Sequence, residues 1–405
     1  MGQVNKGSVA QRLADTPSVR DTILAAARAA RGLPGSDPRA MSHSWLFTGP
    51  PGSGRSMAAL DFAAALMCES PDGEPGCGHC ASCRAVLENR QHTDLVFIQP
   101  QELSIAVDTV RDIIAQAASR PTVARWRVIV FDNADRLTDG AANALLKTVE
   151  EPTASTVMVM CAPSADPEDF SQTLRSRCRH LYVPAPSVEA IVGQLVAEGA
   201  SEEHAKLAAV TSLRHVGRAR RLVFDEGVQK RRAMSINLAE DIFHGSQAFQ
   251  STSALLKVLD KESKEEHAGN DAAEVAKLEA AFGAGGKGKG AAKSQREVNT
   301  AVKELQALQK KRATRRLRDL IDLTLVDLAG IYRDALMLKV GAEVELTHPD
   351  FSGLAGELAS HISEEGLVAC QDAITTCREH IGVSVTPTIA FDGMIGRLRL
   401  ACKAR

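Results

Sequence analysis

The sequence predicts an α/β domain built on a parallel sheet, followed by a chain that is helical almost throughout. Short apolar runs at 44–48, 94–98, 127–131 and 156–160 alternate with segments of helical spacing. This alternation is typical of a parallel sheet with helices on both faces. After Val183 the strand signal nearly disappears, and we take the Pro-Ala-Pro sequence that follows as a domain joint.

The helices and strands of the first half have recognisable patterns. We expect an amphipathic helix at 20–31, an Ala- and Leu-rich helix at 56–67, and a helix at 105–119. The run at 127–131 is continuously apolar, as in a strand covered on both faces. The next helix, 139–151, should end before a proline, which cannot continue a helix.

The second half is predicted to be helical. We expect three short helices at 187–198, 202–211 and 217–226, and further helices beyond residue 233. A glycine- and lysine-rich stretch lies at 282–293, and we expect a flexible loop at about 262–293. A long helix should follow, because apolar residues then recur with a period of 3.6. These residues are Leu317, Leu320, Ile321, Leu325, Leu328, Ile331, Ala335 and Leu338.

Length, charge and cysteine content narrow the functional classes. A chain of 405 residues is too long for one ordinary core, so we expect two or three domains. The net charge of −2 provides no general attraction to DNA, so any contact with DNA must come from local basic patches. We find neither a signal-peptide pattern nor an apolar run long enough to span a membrane, and we expect a cytoplasmic protein. In that reducing compartment the nine cysteines should not form structural disulfides.

The first chemical motif is a glycine-rich segment that follows a predicted strand and opens a predicted helix. That context is the one required of a phosphate-binding loop, or P-loop, in which backbone N–H groups and the helix N-terminus face the phosphates. The pattern requires Lys where this chain has an arginine, which is longer and forked. The alternative is a plain glycine-rich turn. The residues are Gly49, Pro50, Pro51, Gly52, Ser53, Gly54, Arg55 and Ser56.

The second motif ends the apolar strand at 127–131 with Asp132 and Asn133. An aspartate in this position orients Mg²⁺ in P-loop ATPases, and Ser56 would be a second ligand. Active enzymes of this kind usually follow the aspartate with glutamate, whereas an amide is not a useful base. We therefore expect ATP or ADP with magnesium to bind weakly or without hydrolysis.

The third motif is a cluster of four cysteines at 68, 77, 80 and 83. Repeated Cys-x2-Cys steps let neighbouring thiolates point at one ion, and Gly76 and Gly78 would supply the tight turns. Four thiolates complete a tetrahedral structural Zn²⁺ site. The alternative is four reduced thiols without metal. The expected zinc ligands are Cys68, Cys77, Cys80 and Cys83, with His79 in reserve.

Together with three further segments, these motifs resemble the clamp-loader subunits of bacterial DNA polymerase III, a branch of the AAA+ proteins. The further segments are 132–137 (DNADRL), 143–152 (NALLKTVEEP) and 174–179 (LRSRCR), and the resemblance covers about 40–225. It implies an AAA+ P-loop α/β domain at 1–183 with an inserted zinc module at 68–83. It also implies a helical lid at 184–232 and an all-α collar for oligomerisation at 233–405.

The resemblance also implies roles for single residues. Arg177, in the sequence Ser176-Arg177-Cys178, would be an arginine finger for a neighbouring ATPase subunit, although a plain surface arginine is the default interpretation of so short a motif. Arg218 would belong to the lid element called sensor 2. The segment 161–164 lacks the Thr pair usual at sensor 1 in the family's ATPases.

The partners implied are the gamma/tau ATPase subunits and delta, the sliding clamp and primer–template DNA, with no membrane. Lys147 lies on a helix that faces the ring interior in similar proteins, and a basic run follows at 310–318, usually no more than a solvated helix face. The leading hypothesis is a largely non-hydrolysing scaffold in the loader. The alternatives are the hydrolysing gamma/tau-type motor subunit of the same loader and a stand-alone P-loop ATPase.

Overall fold

The computed structural model describes residues 7–70, 73–100, 102–281, 291–383 and 385–404. It divides into two compact units. The first comprises Met1–Gln194 with Arg214–Arg218, and the second comprises Leu195–Leu213 with Ala219–Arg405.

The first unit is built on a five-stranded parallel sheet in the order β2-β3-β4-β1-β5. The strands are β1 (Ser44–Thr48), β2 (Leu95–Ile98), β3 (Arg127–Phe131), β4 (Thr156–Ala162) and β5 (Arg179–Tyr182). The predicted α/β class and the first four strands are confirmed. The fifth strand was not predicted, because it lies at an edge of the sheet and only Leu181 is buried in it. A short, mostly polar strand carries no apolar signal.

Helices cover both faces of this sheet. They are α1 (Val9–Arg12), α2 (Pro17–Arg31), α3 (Arg55–Met67), α4 (Ala81–Leu87), α5 (Val107–Ala117), α6 (Asp139–Glu150) and α7 (Gln172–Arg175). Side chains alternate along β1, so Trp45 and Phe47 pack with Phe62 of α3 on one face. Leu46 points to the other face and packs with Leu145 of α6. Because the strands are parallel, the loops after β1, β3 and β4 leave the sheet at one edge.

The second unit is helical in its described residues, as predicted. The remaining helices of the chain are α8 (Val188–Ala197), α9 (Glu202–Thr211), α10 (Val216–Phe224), α11 (Glu226–Asp241), α12 (Gln247–Ala281), α13 (Ala291–Lys339), α14 (Ser352–His361), α15 (Glu364–Gly382) and α16 (Pro387–Ala401). Its core joins Ile236, Leu325, Tyr332 and Phe391. Most of the predicted apolar face of α13 is buried, but Leu338, in the last turn of the helix, is 42% exposed.

The bounds predicted for the loop at 262–293 are wrong at both ends. Helix α12 continues to Ala281 and α13 already begins at Ala291, while 282–290 lie outside the described residues. The two helices run side by side, and Arg312 of α13 pairs with Asp271 of α12 at 3.0 Å. The stretch 262–281 is rich in Ala and Glu, which favour helix, and this local preference outweighs the effect of the nearby glycines.

No helix among the described residues combines the length and the apolar character needed to cross a bilayer.

Candidate functional site

The P-loop connects β1 to α3 at the carboxyl edge of the sheet. Gly52 and Gly54 have φ angles of 84° and 86°, in the left-handed region that favours glycine. Gly54 immediately precedes α3, so the first turn of that helix presents its backbone N–H groups at the loop. The structure therefore brings the predicted segment 49–56 into the strand–loop–helix arrangement of a phosphate-binding site.

Arg55 is the first residue of α3, and its guanidinium turns back into the loop. Its Nη1 donates a hydrogen bond to the carbonyl oxygen of Gly49 at 2.7 Å. This hydrogen bond therefore joins the two ends of the P-loop. A phosphate that approached this loop would have to compete with that internal bond for the guanidinium.

Ser56 and Asp132, the two candidate magnesium ligands, lie next to each other. The hydroxyl of Ser56 on α3 donates to Oδ1 of Asp132, which directly follows β3, at 2.5 Å. Hydroxyl and carboxylate oxygens suit Mg²⁺. Asn133 follows with a left-handed backbone, φ 57°, and begins a 3₁₀ turn at Ala134–Arg136. The site thus has oxygen ligands for a cation but an amide where a general base is needed.

His215 covers the tip of the P-loop, and sequence analysis did not identify it. A Cβ atom placed on Gly52 would lie only 2.4 Å from Cγ of His215, so the loop and the imidazole are in close contact. The backbone N–H of Arg218 donates to Nδ1 of His215 at 3.3 Å, which places the predicted sensor 2 segment beside the loop. Burial lowers the pKa of His215, and the nearby charge of Arg218 lowers it further. The only sequence signal was its position just before Gly217 and Arg218.

The four predicted cysteines converge on one point. The Sγ atoms of Cys68, Cys77, Cys80 and Cys83 all lie within 4.8 Å of one another. The Sγ atoms of Cys77 and Cys83 are 4.0 Å apart, close to the roughly 3.8 Å expected between thiolates bound to Zn²⁺ in a tetrahedral site. The set can hold a metal ion, and its chemistry is that of structural zinc. His79 does not belong to this group of ligand atoms, and its Nδ1 lies 3.1 Å from the carbonyl oxygen of Cys77.

The backbone around the cluster favours thiolates. The N–H groups of Cys80 and Cys83 point at the sulfurs of Cys77 and Cys80, each at 3.4 Å. Hydrogen bonding from the Cys83 thiol lowers the pKa of Cys68 to about 4, while the same contact, together with burial, raises the pKa of Cys83. Gly76 and Gly78 have φ angles of 83° and 81°, so both predicted turn glycines adopt the left-handed conformation.

The cysteine cluster is joined to the N-terminal helix α1. The N–H of Val9 donates to the carbonyl oxygen of Gly76 at 2.8 Å, and a Cβ on Gly76 would clash with the Val9 side chain. Helix α1 is in turn anchored to α3 by a buried ion pair between Arg12 and Asp61 at 2.5 Å. The cluster therefore helps to hold the N-terminal helix α1 against α3, the helix that begins at the P-loop.

Arg177 follows α7 and is about one third exposed. Its Nε donates to a carboxylate oxygen of Glu150 at the end of α6. Its Nη1 donates to the Thr173 carbonyl oxygen at 2.9 Å and to the Ser176 hydroxyl at 3.2 Å. Within the described part of the chain, the structure does not pair Arg177 with any residue of the P-loop.

The basic run on α13 is largely matched by acidic residues. Arg312 pairs with Asp271 and Glu274 of α12, and Arg315 lies 3.9 Å from Asp319. Lys310 and Lys311 are exposed, as is Lys147 on α6. Partnered arginines fit a solvated helix face better than a continuous DNA-binding stripe.

Residues 37–187 match a protein-family model described as "DNA polymerase III, delta subunit". The match spans the sheet from before β1 to just beyond β5, and it contains the P-loop, the cysteine cluster, Asp132 and Arg177.

Curated relatives include subunits of two kinds. The DNA polymerase III subunit delta' of Escherichia coli is 34% identical over 170 residues, which are 42% of this chain and 50% of that protein. The corresponding subunit of Bacillus subtilis is 30% identical over 200 residues, 49% and 59% of the two chains. Subunit tau of B. subtilis is 33% identical over 154 residues, 38% and 27%. The matches therefore span between 27% and 59% of these relatives' lengths.

Among solved structures, a DNA polymerase III gamma subunit-related protein of Thermotoga maritima aligns with 89% of this chain and 94% of its own. The sequence identity is 15% and the TM-score is 0.39.

Proposed function

We propose that this chain belongs to the clamp-loader family of DNA polymerase III subunits and acts as a delta-prime-type subunit of the loader. In this role it is a largely non-hydrolysing scaffold that helps to load the sliding clamp onto primed DNA. Its partners are the gamma/tau ATPase subunits, delta, the clamp and primer–template DNA, all in the cytoplasm.

The observation that supports this proposal most directly is the set of side chains at the carboxyl end of β3. Ser56 and Asp132 form a pair suited to Mg²⁺, yet Asn133 stands where a hydrolysing enzyme needs a carboxylate. Arg55 is bonded to Gly49 within the loop. Nucleotide phosphates would bind to the backbone of 49–56, and Arg218 would approach them from α10. Such a site favours weak or static binding over turnover.

The structural metal of this proposal is zinc. The four cysteine sulfurs would complete its coordination shell and leave no position open for water, so the ion supplies rigidity. In this role it fixes α1 to the sheet domain through the contact between Val9 and Gly76.

Arg177 is the residue proposed to act on a neighbouring subunit. Its charge is partly exposed, and its described hydrogen-bond partners lie on α6, on α7 and in the residue that directly precedes it, away from this chain's own P-loop. An arginine supplied in trans stabilises the charge that develops on a transferred phosphoryl group. We therefore assign Arg177 to the ATP site of the next subunit in the ring.

Two other functions remain as alternatives. A hydrolysing gamma/tau-type subunit has support from the 33% identity to a tau subunit, but this chain lacks the P-loop lysine and the glutamate after Asp132. A stand-alone P-loop ATPase would have no use for a finger directed at a neighbour. Mg²⁺-dependent turnover by the purified chain is the observation that would favour either alternative.

The test of the proposed function is Arg177→Ala in a reconstituted loader. We expect a lower rate of ATP hydrolysis stimulated by DNA and clamp, and slower clamp loading, because one ATP site has lost its finger. A finger in trans is worth on the order of 10³ in rate in well-studied GTPases, but the other ATP sites of the loader keep theirs, so the total loss is smaller. Arg177→Lys should rescue only in part, since lysine lacks the planar fork.

The matched control is Arg175→Ala, because Arg175 is an exposed arginine in the last turn of α7, two residues away. Gel filtration must show that each variant complex is intact. Wild-type turnover and loading by an intact Arg177→Ala complex would contradict the finger.

A further inference from the structure

The ion pair between Arg177 and Glu150 is a feature of the first unit that the proposed function leaves unexplained. Glu150 is the last residue of α6, where a negative side chain faces the partial negative charge of the helix C-terminus. The position is therefore unfavourable for a carboxylate by itself. At this position the carboxylate accepts a hydrogen bond from the guanidinium of Arg177, which lies just after α7 in the sequence.

The hydrogen bonds of Arg177 occupy two of its three guanidinium nitrogens. Nε is bound to Glu150, and Nη1 is bound to the carbonyl oxygen of Thr173 and the hydroxyl of Ser176. Nη2 donates to no residue within the described part of the chain. Three acceptors thus fix the plane of the guanidinium and leave one nitrogen, with two N–H groups, free to bind an anion.

We propose that Glu150 is a positioning residue that holds Arg177 in the orientation in which its Nη2 meets a phosphate of the neighbouring subunit's nucleotide. This inference rests on the proposed function, because it assumes that Arg177 acts in trans. A free arginine side chain loses much rotational freedom when it binds a phosphate. Because Glu150 already restrains Arg177, part of that entropy is lost before binding, and binding itself costs less. The residue touches neither the nucleotide nor the reacting atoms, so it acts only through Arg177.

The exposure of the pair fits this role. The side chains of Arg177 and Glu150 are 36% and 44% exposed. Ion pairs this open contribute little to the stability of a fold. Loss of Glu150 should therefore leave folding and assembly intact and change only how well Arg177 is oriented.

The experiment compares Glu150→Gln with wild type in the reconstituted complex, with ATP hydrolysis measured at saturating clamp and primer–template DNA. We expect the ATP site that Arg177 serves to turn over about two- to fivefold more slowly, the range that corresponds to the coupling of a partly exposed ion pair. The kcat of the whole complex should fall by less, because the other sites are unaffected, while KM for ATP stays unchanged. Glu150→Asp, which keeps the charge on a shorter side chain, should lose less. The matched control is Glu151→Gln, which removes the neighbouring exposed carboxylate and should have no effect.

A double-mutant cycle separates this inference from the proposed function. If Glu150 acts through Arg177, the double variant Glu150→Gln/Arg177→Ala should be no slower than Arg177→Ala alone. Additive losses, or wild-type kcat in Glu150→Gln while Arg177→Ala is slow, would overturn the positioning role and leave the finger intact. Wild-type kcat in Arg177→Ala itself would overturn both.

Discussion

At Arg55 the P-loop departs from the pattern of an ATPase in a way that can be reversed by one substitution. Arg55→Lys removes the forked group that binds the Gly49 carbonyl and supplies a compact ammonium for a phosphate. We expect Arg55→Lys to bind ATP more tightly by about tenfold, the value of one charge-assisted hydrogen bond. Turnover should stay low, because Asn133 is unchanged. Calorimetric titration with ATP and magnesium measures the affinity.

Arg55→Ala is the control for this prediction, because it breaks the bond to Gly49 without adding a cation. If the gain comes from the ammonium, Arg55→Ala should bind ATP less tightly than Arg55→Lys. Equal affinities in wild type and Arg55→Lys would mean that Arg55 does not restrict the P-loop.

Single residues also mark the limit of what the sequence could predict. The P-loop residues and the four cysteines are close together along the chain, so their spacing alone indicated their chemistry. His215 and Glu150 could not be identified in this way. His215 reaches Gly52 from 163 positions away, and Glu150 reaches Arg177 from 27 positions away, and only the fold brings these pairs together.

At the scale of elements, buried segments were predicted better than exposed ones. β1 and β3 have the predicted bounds, because each is a continuous apolar run that is buried along its whole length. Helix α4 was not predicted, since its seven residues include Cys83 of the cysteine cluster and are too few to show a helical period. For α12 and α13, glycine content predicted a loop over residues that are helical, because composition does not register contacts between helices such as that of Arg312 with Asp271.

The cysteine cluster should behave as one element together with α1. We expect about one zinc ion per chain in protein purified without added metal. Removal of the ion should release the N-terminal segment, because Val9 is held by the backbone of Gly76 inside the cysteine-containing loop. Trypsin should then cut after Arg12, a bond that the buried pair with Asp61 protects in the folded state. Elemental analysis and timed digestion with and without a chelator measure both effects.

The cysteine variants make this test specific. Cys80→Ser should lower the zinc content and speed cleavage at Arg12. Cys377→Ala, which alters a buried cysteine of α15 far along the sequence from the cluster, should do neither. A metal content near zero in wild type, with all nine thiols freely titratable, would contradict a zinc site.

At the scale of the whole molecule, the roles proposed for the two units are supported by different observations. Residues 37–187, which carry the family match, contain the P-loop, the cysteine cluster and Arg177. The second unit is an independent helical core, to which we assign the subunit contacts of the loader. A finger in the first unit is useful only if the chain is held beside an ATPase subunit. The central claim therefore concerns the assembly and cannot be tested on the sheet domain alone.

The most direct measurement of that claim is ATP hydrolysis by the full chain, alone and in a loader reconstituted with its partner subunits, clamp and primer–template DNA. We predict negligible turnover by the chain alone. We also predict that the complete complex hydrolyses ATP in response to DNA and clamp, and that omission of this chain abolishes the response. Robust Mg²⁺-dependent turnover by the purified wild-type chain, or full stimulation of the complex without it, would contradict the account.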